Sequence, residues 1–363
     1  MALLFIDGFD SYGADNVNVS TLLGTAGYVL SFPFAVTHSD TRTGIGFSIQ
    51  SNTAPAGDGV IVMRAFNSAT GVVCGFAMKN ASQIFDSFFE IGYTDLLGSF
   101  VAHCKLVFNG ENGVTAATEN PASHSLAQSG FGASDSVGSL IAASFPNVLL
   151  SNVWQYVEVL FQPSVSLQVR IDGGLVLNVS NPITTTGLPA TVNYVALSNV
   201  NRNATLYDDL YICDLTGSAF NTFLGDVVVH SIFPDADTSP NTMTQVGGGS
   251  GHFTSVNEQV PDEDTSYVHS DTSGQQELYS LSTFPSDIIN VLAVSVNVRA
   301  KKAATGLGTY DICAKYSGTE VDSSGIIAGA NYTENQMILP SPPGGGSWTK
   351  SIAQATTIGF KIP

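Results

Sequence analysis

"YDDLYICDLTGSAFNTFLGDVVVH", residues 207–230, decides how the rest of the chain is read. It opens as a strand, with apolar and aromatic positions closing around the adjacent acids Asp208 and Asp209, and further acids follow at Asp214 and Asp226. A catalytic or metal-binding cluster would make the protein an enzyme or an ion-dependent module. A strand end followed by a crossing would make it a building part. Successive side chains of a strand point to opposite faces. Asp208 is then expected with Leu206, Leu210 and Ile212, and Asp209 with Tyr207, Tyr211 and Cys213. Two carboxylates so placed cannot flank one glycosidic bond, which needs both on the same side, about 5 to 10 Å apart. The expected role is structural, as a turn cap or an acceptor of backbone N–H groups at the strand start. The oxygen-rich spacing of an EF-hand loop is missing, so no cofactor is expected; a structural calcium ion on this pair and loop carbonyls is the competing reading.

Outward from this stretch, strand-sized apolar segments recur: "LLFI" (3–6), "IGFSI" (45–49), "GVIVMRAF" (59–66), "VVCGFAM" (72–78) and "FVAHCKLVF" (100–108). They continue with "WQYVEVLF" (154–161), "SLQVRI" (166–171), "LVLNVS" (175–180), "NYVALSNV" (193–200) and "TLYDDLYIC" (205–213). Gly, Asn, Asp, Ser and Pro punctuate them, as turns demand. Regular short strands of this kind predict a β-sandwich. A turn or two of helix fits only at 81–90 and 218–225. After Gly225, "DVVVHSIFP" (226–234) reads as a strand, and 235–253 shows no periodicity. A second set of strands is expected at 266–270, 276–281, 291–300, 309–316 and 356–362, with "PSPPGGGSW" (340–348) as a loop in which Pro fixes φ and Gly frees it.

With 363 residues the chain exceeds one ordinary domain, and two are expected, 1–225 and 226–363. Apolar residues make up 44% and charged residues 12%, which suits strands and turns better than helices with charged outer faces. The net charge of -18 arises from scarce bases and repels phosphate backbones, so no nucleic-acid partner is expected. No apolar run approaches the roughly 20 residues that span a bilayer, so no membrane insertion is expected. "MALLFIDGFD" lacks a basic n-region and is too short for a signal peptide, so it reads as a first strand made in a cytoplasm. Cys74, Cys104, Cys213 and Cys313 stand far apart in apolar stretches without a CxxC, which reads as buried reduced thiols.

Catalytic motifs are missing. The histidines (His38, His103, His124, His230, His252, His269) form no HExxH, and Ser250 in "GGGSGH" has His252 where a nucleophile elbow needs glycine. The acidic run Asp262, Glu263 and Asp264 reads as solvated loop, with a cation site as the minority reading. The sequon Asn178-Val179-Ser180 is expected by chance. Aromatic residues could stack on sugar rings, but in sandwiches they more often fill the core. No catalytic or cofactor-binding residue is named, and metal ligands are left open.

Two stretches resemble a known fold. "WQYVEVLFQPSVSLQVRIDGGLVLN" (154–178) looks like the centre of a concanavalin/laminin-G-like jelly roll, and "LYDDLYICD" (206–214) resembles its closing strand, which pairs back beside "LLFIDGFDSYG" (3–13). In order, "IDGFDSYG", "WQYVEV", "DDLYICDLTG", "FLGDVVV", "PDEDTSYV" and "GGGSWTKSIAQATTIGFKI" are similar to tailed-bacteriophage virion structural proteins. The resemblance implies an all-β protein, a jelly-roll sandwich followed by a second, smaller β-sandwich domain, and it carries over no active site. It implies a non-enzymatic virion component, made in the host cytoplasm and exposed on the particle. Tail or fibre attachment is preferred, with assembly or host attachment as its task; capsid decoration as a head-fibre protein is the alternative. Expected partners are further copies of itself, as a symmetric homo-oligomer and plausibly a trimer, with tail or capsid proteins and a host surface glycan. A carbohydrate-binding module and a glycan-degrading enzyme are the rivals on the same scaffold. In this reading the acids mark a seam: 208–209 open the closing strand, "DLTG" turns out of it, and 221–230 cross to the second domain.

Overall fold

The computed structural model describes residues 3–12, 19–30, 36–37, 41–42, 47–51, 61–80, 87–96, 100–109, 113–116, 133–134, 140–142, 148–182, 189–199, 205–302 and 308–363. The chain divides into two compact units, Met1–His230 and Ser231–Pro363. It is all-β, a jelly-roll sandwich followed by a smaller β-sandwich.

The first unit begins with β1 (Leu3–Asp7), the short helix α1 (Val19–Thr25), β2 (Tyr28–Leu30), β3 (Val36–Thr37), β4 (Ile49–Ser51), β5 (Ile61–Ala69) and β6 (Val72–Asn80). Next come β7 (Ser87–Thr94), β8 (Phe100–Asn109), β9 (Gly113–Ala116), β10 (Ala133–Ser134) and β11 (Leu140–Ala142). It closes with β12 (Trp154–Gln162), β13 (Ser166–Ile171), β14 (Gly174–Ser180), β15 (Val192–Asn199) and β16 (Thr205–Asp214). One sheet runs β14-β13-β12-β6-β16-β4-β3 with β1 on β16, and the other β11-β10-β8-β7-β15-β5-β2 with β9 on β8. The two pack face to face, for Phe76 of β6 meets Phe89 of β7 with ring centroids 4.9 Å apart and Phe108 of β8 at 6.2 Å. Burying three phenyl rings at one point of contact contributes strongly to cohesion. The N-terminal strand pairs antiparallel with the closing strand, Phe5 opposite Ile212 and Asp7 opposite Leu210, as the resemblance implied.

The second unit contains β17 (Pro234–Asn241), β18 (Thr244–Val246), β19 (Tyr267–His269), β20 (Gln276–Leu281), β21 (Val294–Ala300) and β22 (Gly308–Tyr316). It ends with β23 (Thr319–Asp322), β24 (Ile326–Ala328), β25 (Thr333–Leu339), helix α2 (Lys350–Ala355) and β26 (Thr357–Lys361). A sheet β17-β20-β26-β22-β23, with β24 on β22, packs against the β21–β25 ribbon. Val296, Ile312, Met337, Leu339 and Trp348 fill the space between, and the indole N–H of Trp348 donates to Leu339 O at 2.9 Å.

Several sequence expectations fail for identifiable reasons. Residues 226–233 form no strand: the Val227 carbonyl and the Val229 N–H are taken by the side chains of Arg42 and Asp209, not by a neighbouring strand. The stretch without periodicity is partly strand: β17 lies at a sheet edge and is exposed, so Asp235, Asp237 and Pro240 are tolerated there. No helix forms at 218–225, where Phe220 and the flanking Gly217 and Gly225 all have positive φ. Of 81–90, residues 87–90 belong to β7 and 81–86 lie outside the described residues. The two α-helices among the described residues, seven and six residues long, are too short to show a period in sequence. Thr349 caps the second by accepting from the Ile352 N–H at 3.2 Å. No helix among the described residues is long and apolar enough to cross a membrane.

Candidate functional site

The alternation expected for β16 breaks at its acids. Asp208 pairs with Ala77 and Tyr211 with Gly75, so Asp209 and Leu210 together oppose one residue of β6 in a bulge. Asp209 has φ 54°, a left-handed conformation that Asp tolerates better than most residues. The bulge re-aims everything after it: Tyr207 ahead of it points into the core, and beyond it Leu210 and Ile212 do, while Tyr211 turns to the outer side. The face assignment read from a regular strand is therefore wrong, and so is the argument that the two carboxylates are kept apart.

Both acids meet Arg42. Its guanidinium donates to Asp209 Oδ2 at 2.9 Å and to Val227 O at 2.8 Å, and it pairs with Asp226. Its backbone N–H approaches Asp208 Oδ2 at 3.5 Å. Its guanidinium carbon lies 4.9 Å from the ring centre of Tyr156, which stacks at 6.5 Å and 19° on Tyr211. Gly75 makes room for that second ring: a Cβ there would sit 2.1 Å from Tyr211 Cε1. The Tyr211 hydroxyl donates to Glu158 Oε1 at 2.6 Å, and Glu158, at 1% exposure, also accepts the Gly225 N–H at 2.8 Å. Val229 N–H donates to Asp209 Oδ1 at 2.8 Å, and a Cβ on Gly8 would collide with Val229 O at 2.3 Å. Arginine, tyrosines and acids thus strap residues 224–229 across the outer side of the sheet.

The electrostatics follow from burial. Desolvation pushes the Asp208 carboxyl up to about 9, helped by the charges of Asp209 and Asp10. Burial raises Asp209 as well, opposed by the Val229 N–H and Arg42. Burial above all, and Glu158 next, raises the Tyr211 phenol, which stays neutral and donating. Nearby, Asp7 accepts from the hydroxyls of Tyr12 and Tyr28 and the N–H of Phe9, and Asp10 accepts the N–H of Phe47 at 2.7 Å. The donors that reach these carboxylates come from the chain itself, so the arrangement fastens structure.

Of the four acids first singled out, Asp208, Asp209 and Asp226 converge on Arg42, whereas Asp214 accepts from the N–H and hydroxyl of Thr216 in the turn out of β16. In the acidic run, Asp262 accepts from Ser266, Glu263 pairs with Arg299, and Asp264 pairs with Lys301 and accepts from the Tyr332 hydroxyl. All four cysteines are free and buried. Among the described residues the one grouping with metal-like spacing is Cys313, Glu320 and Asp322, whose ligand atoms lie within 4.8 Å of one another. Lys361 already pairs with both of its carboxylates.

His252 lies beside an acid that sequence gave no reason to expect. Its Nδ1 is 3.0 Å from Glu277 Oε2, and Glu277 also accepts from the Met243 N–H and the Tyr279 hydroxyl. Asp237 accepts the N–H groups of His252 and Phe253. Among the described residues no hydroxyl lies within hydrogen-bond distance of the other imidazole nitrogen, and Ser250 is exposed in the glycine loop. His103 is buried and bonded to Thr191 O at 3.0 Å; His38 and His124 lie outside the described residues. Sequence reading missed Arg42, Glu158 and Tyr211. Glu158 left a signal, the one charge in "WQYVEVLFQ", whereas nothing around Arg42 in "DTRTG" marks it.

Neither a protein-family model nor a curated protein matches the chain. Among solved structures it is similar to a Bacillus subtilis protein of unknown function with a galectin-like fold, at 9% identity over 59% of this chain and 96% of that one, with TM-score 0.39. It is similar to the cellulose induced protein Cip1 at 14% identity over 61% of this chain and 100% of that one, with TM-score 0.41. A sialidase matches at 10% identity over 58% of this chain, which spans 18% of the sialidase, with TM-score 0.38. Likenesses at this level carry no argument about ligand or activity.

Proposed function

We propose that the chain is a non-enzymatic structural subunit of a tailed-bacteriophage virion, exposed on the particle in symmetric copies and acting through its surfaces in assembly or host attachment. The observation that carries this reading is the use of the acid cluster. Asp208, Asp209 and Glu158 are engaged by Arg42, Tyr211 and the backbone of 225–229, as a building part requires. The acidic surface, with a net charge of -18, supports protein contacts over nucleic-acid contacts. A glycan-binding role would draw support from an exposed aromatic platform; every Phe, Tyr and Trp whose side chain is described is buried or half-buried.

Immunogold labelling of intact particles with antibody to the chain tests the reading. Label at the tail tip or fibres is the expected result. Label spread over the head would favour capsid decoration, and no label on any particle would overturn the proposal.

A further inference from the structure

We propose that Lys361 and Asp322 join through an intramolecular amide, with Glu320 as the proton carrier. Lys361 ends β26 and Asp322 ends β23, and β22 runs between these two strands. The acid directly opposite Lys361 on β22 is Asp311, yet Asp311 accepts the Gly325 N–H at 2.6 Å, and Lys361 passes it by to reach the next strand. There its ammonium pairs with Asp322 and lies 3.3 Å from Glu320 Oε1. The path is open because Cys313 stands opposite Gly359 on one side and Asp322 on the other, so the crossing meets one small side chain and one glycine. Glu320 and Asp322 share a face, two residues apart on one strand, and Gln276 Nε2 donates to Glu320 Oε1 at 3.0 Å. The three side chains are 23–30% exposed, so most of their surface is out of water.

At rest the contact is an ion pair. The hydrogen bond to Asp322 raises the Lys361 amine; burial acts to raise the Asp322 carboxyl, but Lys361, Cys313 and Glu320 outweigh it and hold it below the usual carboxylate range. A hydrogen bond between two carboxyls needs a proton, and Glu320 brings it. Lys361 passes one proton to Asp322, which leaves a neutral amine beside a carboxylic acid. Nζ then attacks Cγ of Asp322, so that a C–N bond forms and the C–OH bond breaks. Glu320 gives its proton to the departing hydroxyl and takes the second proton of the amine. One water leaves, one positive and one negative charge vanish together, and no oxidant is used. Contact between the partners supplies the orientation, and the protonated resting amine makes the reaction slow. The freshly folded chain therefore carries only the ion pair, a surface contact that contributes little. The product fastens the last strand to β23 across β22, and β26 can then leave the sheet only if a covalent bond breaks.

The test is the intact mass of the full chain, freshly folded and after prolonged warming below its unfolding midpoint, followed by proteolysis and peptide mapping. The expected result is the loss of one water with time and a branched peptide joining Asp322 to Lys361. Lys361→Arg keeps the cation but cannot form this amide, and should yield no branched peptide. Glu320→Gln keeps the shape of the side chain and should slow the loss of water at least about 100-fold. An unchanged mass in the warmed chain, a water lost without the branched peptide, a branched peptide formed equally fast in urea, or an undiminished rate in Glu320→Gln overturns the inference. Particle labelling is independent of this outcome, so a chain that never forms the amide would leave the virion reading standing.

Discussion

Two acid sets, one in each unit, are held in opposite ways. In the first, Asp208, Asp209 and Glu158 are 6%, 2% and 1% exposed and share one arginine and one phenol. In the second, Glu320 and Asp322 share Lys361 near the surface, while Glu263 and Asp264 have Arg299 and Lys301 to themselves. Removing a charge from water is costly unless partners replace the water, so a buried set becomes interdependent where a surface set stays dispensable. Adjacency in sequence foretells neither condition. The bulge and the covering strap decide it.

Removing the shared cation breaks this contrast most directly. Arg42→Ala leaves Asp209 buried without its counter-charge and should cost about 3–5 kcal/mol of stability, read from the urea unfolding midpoint. A loss as small as that of a surface pair would mean water reaches the cluster. The next effect is on pH dependence. The folded carboxyl of Asp208 stands at about 9 against about 3.9 in an unfolded chain, so between these values the native state holds a proton that the unfolded state has released. Stability should therefore fall as pH rises from about 4 towards 9, by at most about 1.4 kcal/mol per pH unit from this group. Asp208→Asn should flatten that slope, and an unchanged slope would place the proton elsewhere among Asp209, Asp10 and their neighbours.

Tyr211→Phe sharpens the comparison further, removing one donor from Glu158 while keeping the ring that Gly75 accommodates; about 1–3 kcal/mol should be lost. Smallest is Lys361→Met, which strips the cation from Glu320 and Asp322 and should shift thermal unfolding by the equivalent of at most about 1 kcal/mol. A larger shift there would contradict the surface character of the second set.

Much of the architecture was legible because burial leaves a period of two. β13, "SLQVRI", alternates buried and half-buried positions, while β12, "WQYVEVLFQ", is buried on both faces from Gln155 to Val159 and was legible as an apolar run; both fall where the sequence put them. The pairing of β1 with β16 followed from the resemblance of their motifs. The acid cluster was half legible: the adjacent acids stood out, but a bulge is a geometric choice at one residue, and Asp209 looks like any strand position in sequence. Arg42 lies more than 160 residues away, so its partnership with Asp209 exists only once the chain is folded. The error at 226–233 has the same root. Three valines in a row suit a strand, yet Asp209 and Arg42 take the groups that a strand would have offered to its neighbour.

The strap has a mechanical meaning. Tension applied to the chain beyond His230 falls first on the Val229–Asp209 bond, then on the Arg42 contacts to Val227 and Asp226, then on Gly225 and Glu158. Only after these part does load reach the ladder of β16. The anchors therefore yield in sequence, like a row of stitches, and residues 215–230 pay out as a tether of roughly 50 Å while the sandwich stays whole.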